Sequence, residues 1–238
     1  MTQTEHAYEG RELEAAANLV NYYRWITDCF RPYLQGAGTE IGAGLGTYSQ
    51  YIRPYFSAMD VVEPSPNQQP ALTARFCDDP AVRIFSSTID EYRRVVGDQS
   101  RDCFCLVNVL EHIEEDAQAL RDMSAMLKDG GHVCIFVPAL PFLYSKLDRI
   151  LGHYRRYTRD ELEQKITSAG YEIVQSSYMD ILGVPAWGLI NTVIGSTSLN
   201  PKMAALYDTA FVPLTRAIEA VMPIPFGKSL LIVGRKRV

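Results

Sequence analysis

The sequence predicts an α/β protein built on an open, doubly wound sheet with helices on both faces. Three observations carry this. Apolar strand-like runs alternate with helical patterns between about residues 39 and 178. The turns between them are short, as expected for strands joined through helices. One run, Asp102–Val107, is nearly all apolar, the pattern of a strand buried on both sheet faces.

In chain order, Glu12 to Phe30 reads as a helix, because Leu13, Ala16, Ala17, Val20, Tyr23 and Ile26 or Thr27 recur at helical spacing. Pro32, Gly36 and Gly38 follow it. Thr39–Ile41 is a short strand, succeeded by a glycine loop and a helix around Thr47–Arg53. Ala58–Val62 is a strand ending at Glu63-Pro64, Pro66 to Phe76 a helix, Ala81–Phe85 a third strand and Asp102–Val107 a fourth. A helix is expected from about Glu114 to Leu127, then a turn at Asp129-Gly130-Gly131 and a fifth strand, His132–Val137, stopped by Pro138. Thr158–Ala169 reads as a helix with Thr158 as N-cap and Glu161 three residues on, a capping box, closed by Gly170. Tyr171–Tyr178 and Ser229–Gly234 are the last strands. The segment between them, Met179 to Lys228, is rich in proline and apolar residues. It far exceeds an ordinary connection and reads as a partly helical cap. The predicted division is a helical lid over 1–36, a core over 37–178 and 229–238, and a cap insertion over 179–228.

Composition narrows the function classes. With 238 residues, 47% hydrophobic and 21% charged, the chain has the make-up of a soluble domain with a sizeable core. A net charge of −5 argues against a nucleic-acid partner. The start, MTQTEHAYEGRELE, lacks the basic-then-apolar layout of a secretory signal, so a cytoplasmic protein is expected. The longest apolar stretch, Ile181 to Gly195, is broken by Pro185 and Asn191 and is shorter than the roughly 20 residues of a membrane span. The five cysteines, Cys29, Cys77, Cys103, Cys105 and Cys134, form no C-x-x-C. They read as small buried hydrophobes in a reducing compartment, without zinc.

The loop after the first strand carries Gly42, Gly44 and Gly46, spaced G-x-G-x-G. A dinucleotide loop wants G-x-G-x-x-G. Here the third glycine comes one residue early, and Glu40 precedes the first by two. Glu63 closes the next strand, 19 residues beyond Gly44, where a carboxylate can accept both hydroxyls of a ribose. The glycine spacing and the lack of a Tyr-x-x-x-Lys pair set a nicotinamide-dependent oxidoreductase behind a protein that holds another nucleotide-like cofactor.

In this order and spacing, EIGAGLG, VVEP and CLVNVLEHI resemble the class I S-adenosylmethionine-dependent methyltransferases, especially the bacterial small-molecule branch with a V-L-E-H motif after strand four. The stretch FLYSKLDRILGHYRRYTRDELEQKITSAGYEI is similar to the same branch, and the likeness runs from about Asn21 to Ser177. It implies a Rossmann-like seven-stranded sheet whose last strand is antiparallel, with the mainly helical cap inserted where a tight hairpin is usual. It implies S-adenosylmethionine as cofactor and S-adenosylhomocysteine as product. On the matching positions, Gly42, Ala43 and Gly44 would lie against the methionine and ribose, and Glu40 would hold the methionine ammonium. Glu63 would take the ribose hydroxyls, with Pro64 and Ser65 flanking the adenine. The loop Ser86 to Ile89, including Thr88, would reach the adenine edge; the family often carries an Asp there, and here Asp90 comes a little later. Asn108 would face the methionine and sulfonium. Tyr22 or Trp25, on the first helix, would close over the methionine end.

Methyl transfer is a displacement at an activated carbon, so the protein must hold donor and acceptor in line and sometimes remove a proton. No metal is expected. His112, just past strand four, and His153, after strand five, are the base candidates, since imidazole titrates near neutrality. Each also reads as a brace for its neighbourhood. With His153, Arg155, Arg156 and Tyr157 could wall the acceptor, bind an acidic substrate group, or pack as a solvated basic loop against Asp160 or Glu161, and Tyr144 is a further substrate contact. His132 and His6 read as bystanders. The expected partner is a small-molecule acceptor, a natural product or sugar methylated on O or N. The rivals are a cofactor-binding protein that steers another reaction, and methylation of a lipid-linked acceptor. The apolar cap reads as a lid over a greasy substrate or a homodimer face ahead of a membrane-docking surface.

Overall fold

The computed structural model describes residues 18–196 and 200–238. The predicted start of the first helix and His6 lie outside them. Seven strands form one sheet: β1 (Ala37–Ile41), β2 (Ala58–Val62), β3 (Val82–Phe85), β4 (Arg101–Val107), β5 (Leu127–Pro138), β6 (Tyr171–Met179) and β7 (Ser229–Lys236). Their order is β3-β2-β1-β4-β5-β7-β6. The first five are parallel, while β7 runs antiparallel between β5 and β6. The expected sheet and its reversed last strand are both present.

Two helical layers cover the sheet. On one face lie α1 (Val20–Phe30), α2 (Ser49–Ile52) and α3 (Gln69–Phe76), which bury Ile26, Phe30, Ile52 and Leu72 against Cys103, Cys105, Cys134 and Phe136. On the other lie α4 (Ile89–Val96), α5 (Asp116–Met126) and α7 (Arg159–Ser168), which bury Tyr92, Leu120, Met123, Leu162 and Ile166 against Phe104, Leu106, Val133 and Ile135. Alternate residues of β4 and β5 thus serve opposite cores, as the period of a strand requires. The cysteine reading holds for three of the five: Cys103, Cys105 and Cys134 are buried, but Cys77 is exposed and Cys29 half-buried.

Some local readings are corrected. Asp129-Gly130-Gly131 is no free turn. It lies inside β5, where the pairing with β4 shifts register and Gly130 takes the left-handed conformation. Helix α4 was not expected, although Thr88 and Glu91 close a reciprocal capping box at its start. Neither was the short α6 (Lys146–Ile150), capped in the same way by Ser145 and Asp148. Thr158 caps α7 by accepting from the Glu161 N–H at 3.3 Å.

The segment between β6 and β7 carries α8 (Gly183–Trp187), α9 (Pro201–Leu206) and α10 (Val212–Val221), with wide π-type turns over Gly188–Val193 and Tyr207–Phe211. It is tied to α1. The buried Asp208 carboxylate accepts from the backbone N–H of Asn21 at 3.0 Å and of Tyr22 at 2.9 Å. A residue from the cap thereby satisfies the open N-terminus of the first helix, which has no side-chain cap of its own. The start of α1 and this segment are thereby joined near the carboxyl ends of the strands.

Candidate active site

Those carboxyl ends open into a cavity of about 1340 Å³. Its floor at one end is the glycine loop. Gly42, Gly44 and Gly46 all have positive φ, at 70°, 55° and 73°, so side chains would strain the backbone. At Gly42 a Cβ would also press on Val109. The backbone can therefore lie bare against a ligand here.

Glu63, 6% exposed, is fixed beside this loop. Its Oε2 accepts from the Gly44 N–H and its Oε1 from the Ser65 N–H, both at 2.8 Å. Each oxygen keeps a lone pair for a further donor. Glu40 is 3% exposed, and its Oε2 has no hydrogen-bond partner among the described residues. Burial pushes its carboxyl up to about 8, and the nearby Glu63 charge adds to the effect. A buried carboxylate with an open oxygen at a cavity wall is suited to a cationic group such as an ammonium. Pro64, Ser65, Gln68, Ser87, Thr88 and Asp90 line the same end, and Asn108 enters it from the tip of β4 in the left-handed conformation, φ 53°.

The opposite end combines a polar floor with an apolar wall. The rings of His112 and His153 meet edge-on at 4.6 Å between centroids. His153 Nδ1 lies 3.0 Å from Asp148 Oδ1. Asp148, fully buried, also accepts from Arg156 Nε at 2.7 Å, and from Ser145 through its N–H and hydroxyl. Burial pushes the Asp148 carboxyl up, but the bonds from His153 and Arg156 outweigh it and hold it well below the usual range. An ionised Asp148 accepts a hydrogen bond from a proton on His153 Nδ1, the tautomer in which the neutral ring has Nε2 as its acceptor. Burial, with the adjoining His153 ring second, holds His112 down to about 4. Beside them, Glu111 is completely buried with neither carboxylate oxygen partnered among the described residues, and burial raises it to about 8. The apolar wall comes from the cap, with Leu182, Pro185, Trp187, Leu189 and Ile190 among its residues.

The cavity thus brings together Tyr22, Glu40, Gly42, Ala43, Gly44, Glu63, Pro64, Ser65, Thr88, Asn108, His112, His153 and Arg156. Three expected contacts fall outside its lining and are corrected. Trp25, 6% exposed, packs in the core edge-on to Tyr22 with 6.3 Å between ring centroids. Tyr157 is fully buried, its one O–H shared between Asp116 Oδ2 at 2.9 Å and the Leu110 carbonyl at 3.1 Å. Tyr144 braces the His153 carbonyl at 2.6 Å. Arg156 is no solvated loop residue: its guanidinium is buried on Asp148 and lies over Trp187, 4.6 Å from the ring centroid. Arg155 pairs with Asp116, not with Asp160 or Glu161.

Sequence reasoning passed over Tyr23, Tyr48 and Lys228, which also line the cavity. Lys228 pairs at 2.8 Å with the fully buried Asp180, which also accepts from Tyr22 at 3.3 Å and from Tyr207. Only the contrast of a lone lysine inside an apolar segment, FGKSLL, could have flagged that network.

The sequence matches a family model described as a methyltransferase domain over residues 34–176. No curated protein sequence matches the chain. Among solved structures, a chain from the Haloferax volcanii complex of the Trm112 methyltransferase activator with a methyltransferase is 14% identical, with 99% of this chain and 100% of that one covered and a TM-score of 0.67. A phosphoethanolamine N-methyltransferase of Haemonchus contortus, solved with S-adenosyl-L-methionine, is 13% identical; the match covers 100% of this chain and 60% of that one, with a TM-score of 0.68. An S-adenosylmethionine-dependent methyltransferase of Mesorhizobium loti is 15% identical, with 92% and 100% covered and a TM-score of 0.62. At these identities the structures establish the fold.

Proposed function

Since the chain belongs to the methyltransferase-domain family, we propose that this enzyme moves the methyl group of S-adenosylmethionine to an O or N atom of a small, partly apolar molecule. The cofactor supplies a methyl group already activated on a sulfonium. The remaining work is positioning, exclusion of water and, for a hydroxyl acceptor, proton removal. One observation carries the reading: a single cavity joins the Glu40–Glu63 end to the histidine end under an apolar wall.

In this reading Glu63 holds the ribose hydroxyls, Glu40 the ammonium, and the bare glycine loop the span between them. Thr88, with Ser87 and Asp90, borders the adenine, while Asn108 and Tyr22 border the methionine end. Asp148 orients His153 so that Nε2 can take a proton from an acceptor, and His112 stays neutral over the physiological range. Arg156 is largely neutralised by Asp148, so it serves the framework more than an anionic substrate. The cap's apolar lining favours an acceptor with an aliphatic or aromatic portion. Leu189, Met203 and Leu206 line the cavity yet are 58%, 52% and 59% exposed, which supports a second reading, an acceptor with an extended apolar tail. Among the described residues no helix is long and apolar enough to cross a membrane.

Glu40 offers a direct test. Because burial keeps it protonated up to about pH 8 in the free protein, an ammonium ligand must displace that proton. Calorimetry with S-adenosylhomocysteine at pH 7, in buffers of different ionisation enthalpy, should show release of about one proton. Affinity should rise as pH increases toward 8, and both effects should vanish in Glu40→Gln. Binding with no proton release would remove Glu40 from the ammonium site. Absence of adenosyl-ligand binding, or a preference for NAD, would overturn the functional reading. Once binding is established, acceptor-dependent conversion of S-adenosylmethionine to S-adenosylhomocysteine separates transfer from mere cofactor binding.

A further inference from the structure

Glu111 poses a problem that the methyl-transfer reading does not solve. A carboxyl group with no exposed surface and, among the described residues, no hydrogen-bond partner on either oxygen is costly to bury. Such groups persist where something else satisfies them. The surroundings are specific. One ligand atom from each of Glu111, His112 and His153 lies within 4.8 Å of the other two.

Both imidazoles are held as ligands are usually held. A metal-bound histidine normally donates its second ring N–H to a carboxylate or a carbonyl. His153 has Asp148 at Nδ1, and Asp148 is itself locked by Arg156 and Ser145. His112 hydrogen-bonds the Gly152 backbone. In a neutral imidazole that donates at one nitrogen, the other accepts. Two neutral imidazoles and one carboxylate are a recognised set for a divalent transition metal, and they leave coordination positions open. Bonds of about 2.1 Å place ligand atoms roughly 3 to 4 Å apart, so a small rotation of the side chains would close the present spacing.

We infer that Glu111, His112 and His153 form a binding site for a divalent transition-metal cation at the floor of the acceptor end of the cavity. His112 and His153 line the cavity and Glu111 adjoins them, so a group reaching the cation would come from the space assigned to the acceptor. A cation there would polarise an acceptor hydroxyl directly and would make His153 a ligand instead of a base. That consequence rests on the methyl-transfer reading; the binding itself does not. Chain order does not flag this site, because Glu111 and His112 adjoin while His153 stands 41 residues on.

The test is titration of the full chain with Co²⁺, followed by calorimetry and visible absorption. One Co²⁺ should bind per chain without a thiolate charge-transfer band. Affinity should fall about tenfold or more in Glu111→Gln and in His153→Gln, and stay unchanged in His132→Gln. Titration with S-adenosylhomocysteine on the same variants reports whether they fold and tests the cofactor reading separately. Should either variant fail to fold, anomalous scattering from wild-type crystals soaked in Co²⁺ gives the answer, with a peak between these three residues supporting the site. No binding, equal binding by all variants, or a thiolate band pointing to Cys103, Cys105 and Cys134 would overturn it.

Discussion

Glu63→Ala is expected to weaken S-adenosylhomocysteine binding by about a hundredfold or more, since two hydroxyls donating to one charged acceptor are each worth about 1.5–3 kcal/mol. The carboxylate is already aimed by the Gly44 and Ser65 N–H groups at 2.8 Å each, so little ordering remains to oppose binding. Its loss also leaves those two N–H groups unpaired at the ribose position, which compounds the effect. Calorimetric titration reads the affinity, and a thermal melt of the unliganded variant checks the fold. A dissociation constant within threefold of wild type would mean that the ribose lies elsewhere.

Asp148→Asn should lower both stability and turnover. Truncating the charge of a buried pair costs about 3–5 kcal/mol, and Asp148 and Arg156 are almost wholly buried together. The same change removes the group that sets the His153 tautomer. The pH dependence follows from the depressed carboxyl. Its folded value lies below the unfolded one of about 3.9, so its stabilisation is complete above that pH and is lost as pH falls through the folded value. Urea denaturation should therefore show a wide gap between wild type and variant at pH 7 that narrows below about pH 4. A gap that is small at neutral pH, or that does not change in acid, would contradict this account of the pair.

How much of this was legible beforehand differs between the two ends of the cavity. The donor end is written in short local patterns. The Gly42–Gly46 loop, Glu40 and Glu63 each stand at or just before the end of a predicted strand, and an open parallel sheet gathers strand ends in one place. The acceptor end was legible only as scattered candidates. The sequence singles out His112 and His153, but it also offers Tyr157 as part of an acceptor wall, Tyr144 as a substrate contact and Trp25 as a closure over the methionine end, and none of these three lines the cavity. Their neighbours along the chain say nothing about which way those rings turn. That depends on α5, α6 and the cap, which pack from elsewhere.

The sequence by itself determined the α/β alternation, the inserted segment before the last strand and the glycine–carboxylate frame. These rest on interactions within a few residues, or on the fixed periods of strand and helix. Only the tertiary structure decided that Asp208 of the cap closes the start of α1, that Asp148 joins Arg156 to His153, and that Glu111, unpartnered among the described residues, stands beside two imidazoles. Such contacts bridge segments far apart in the chain, and what selects them is the need of each buried polar group for a partner, a condition that no local pattern records.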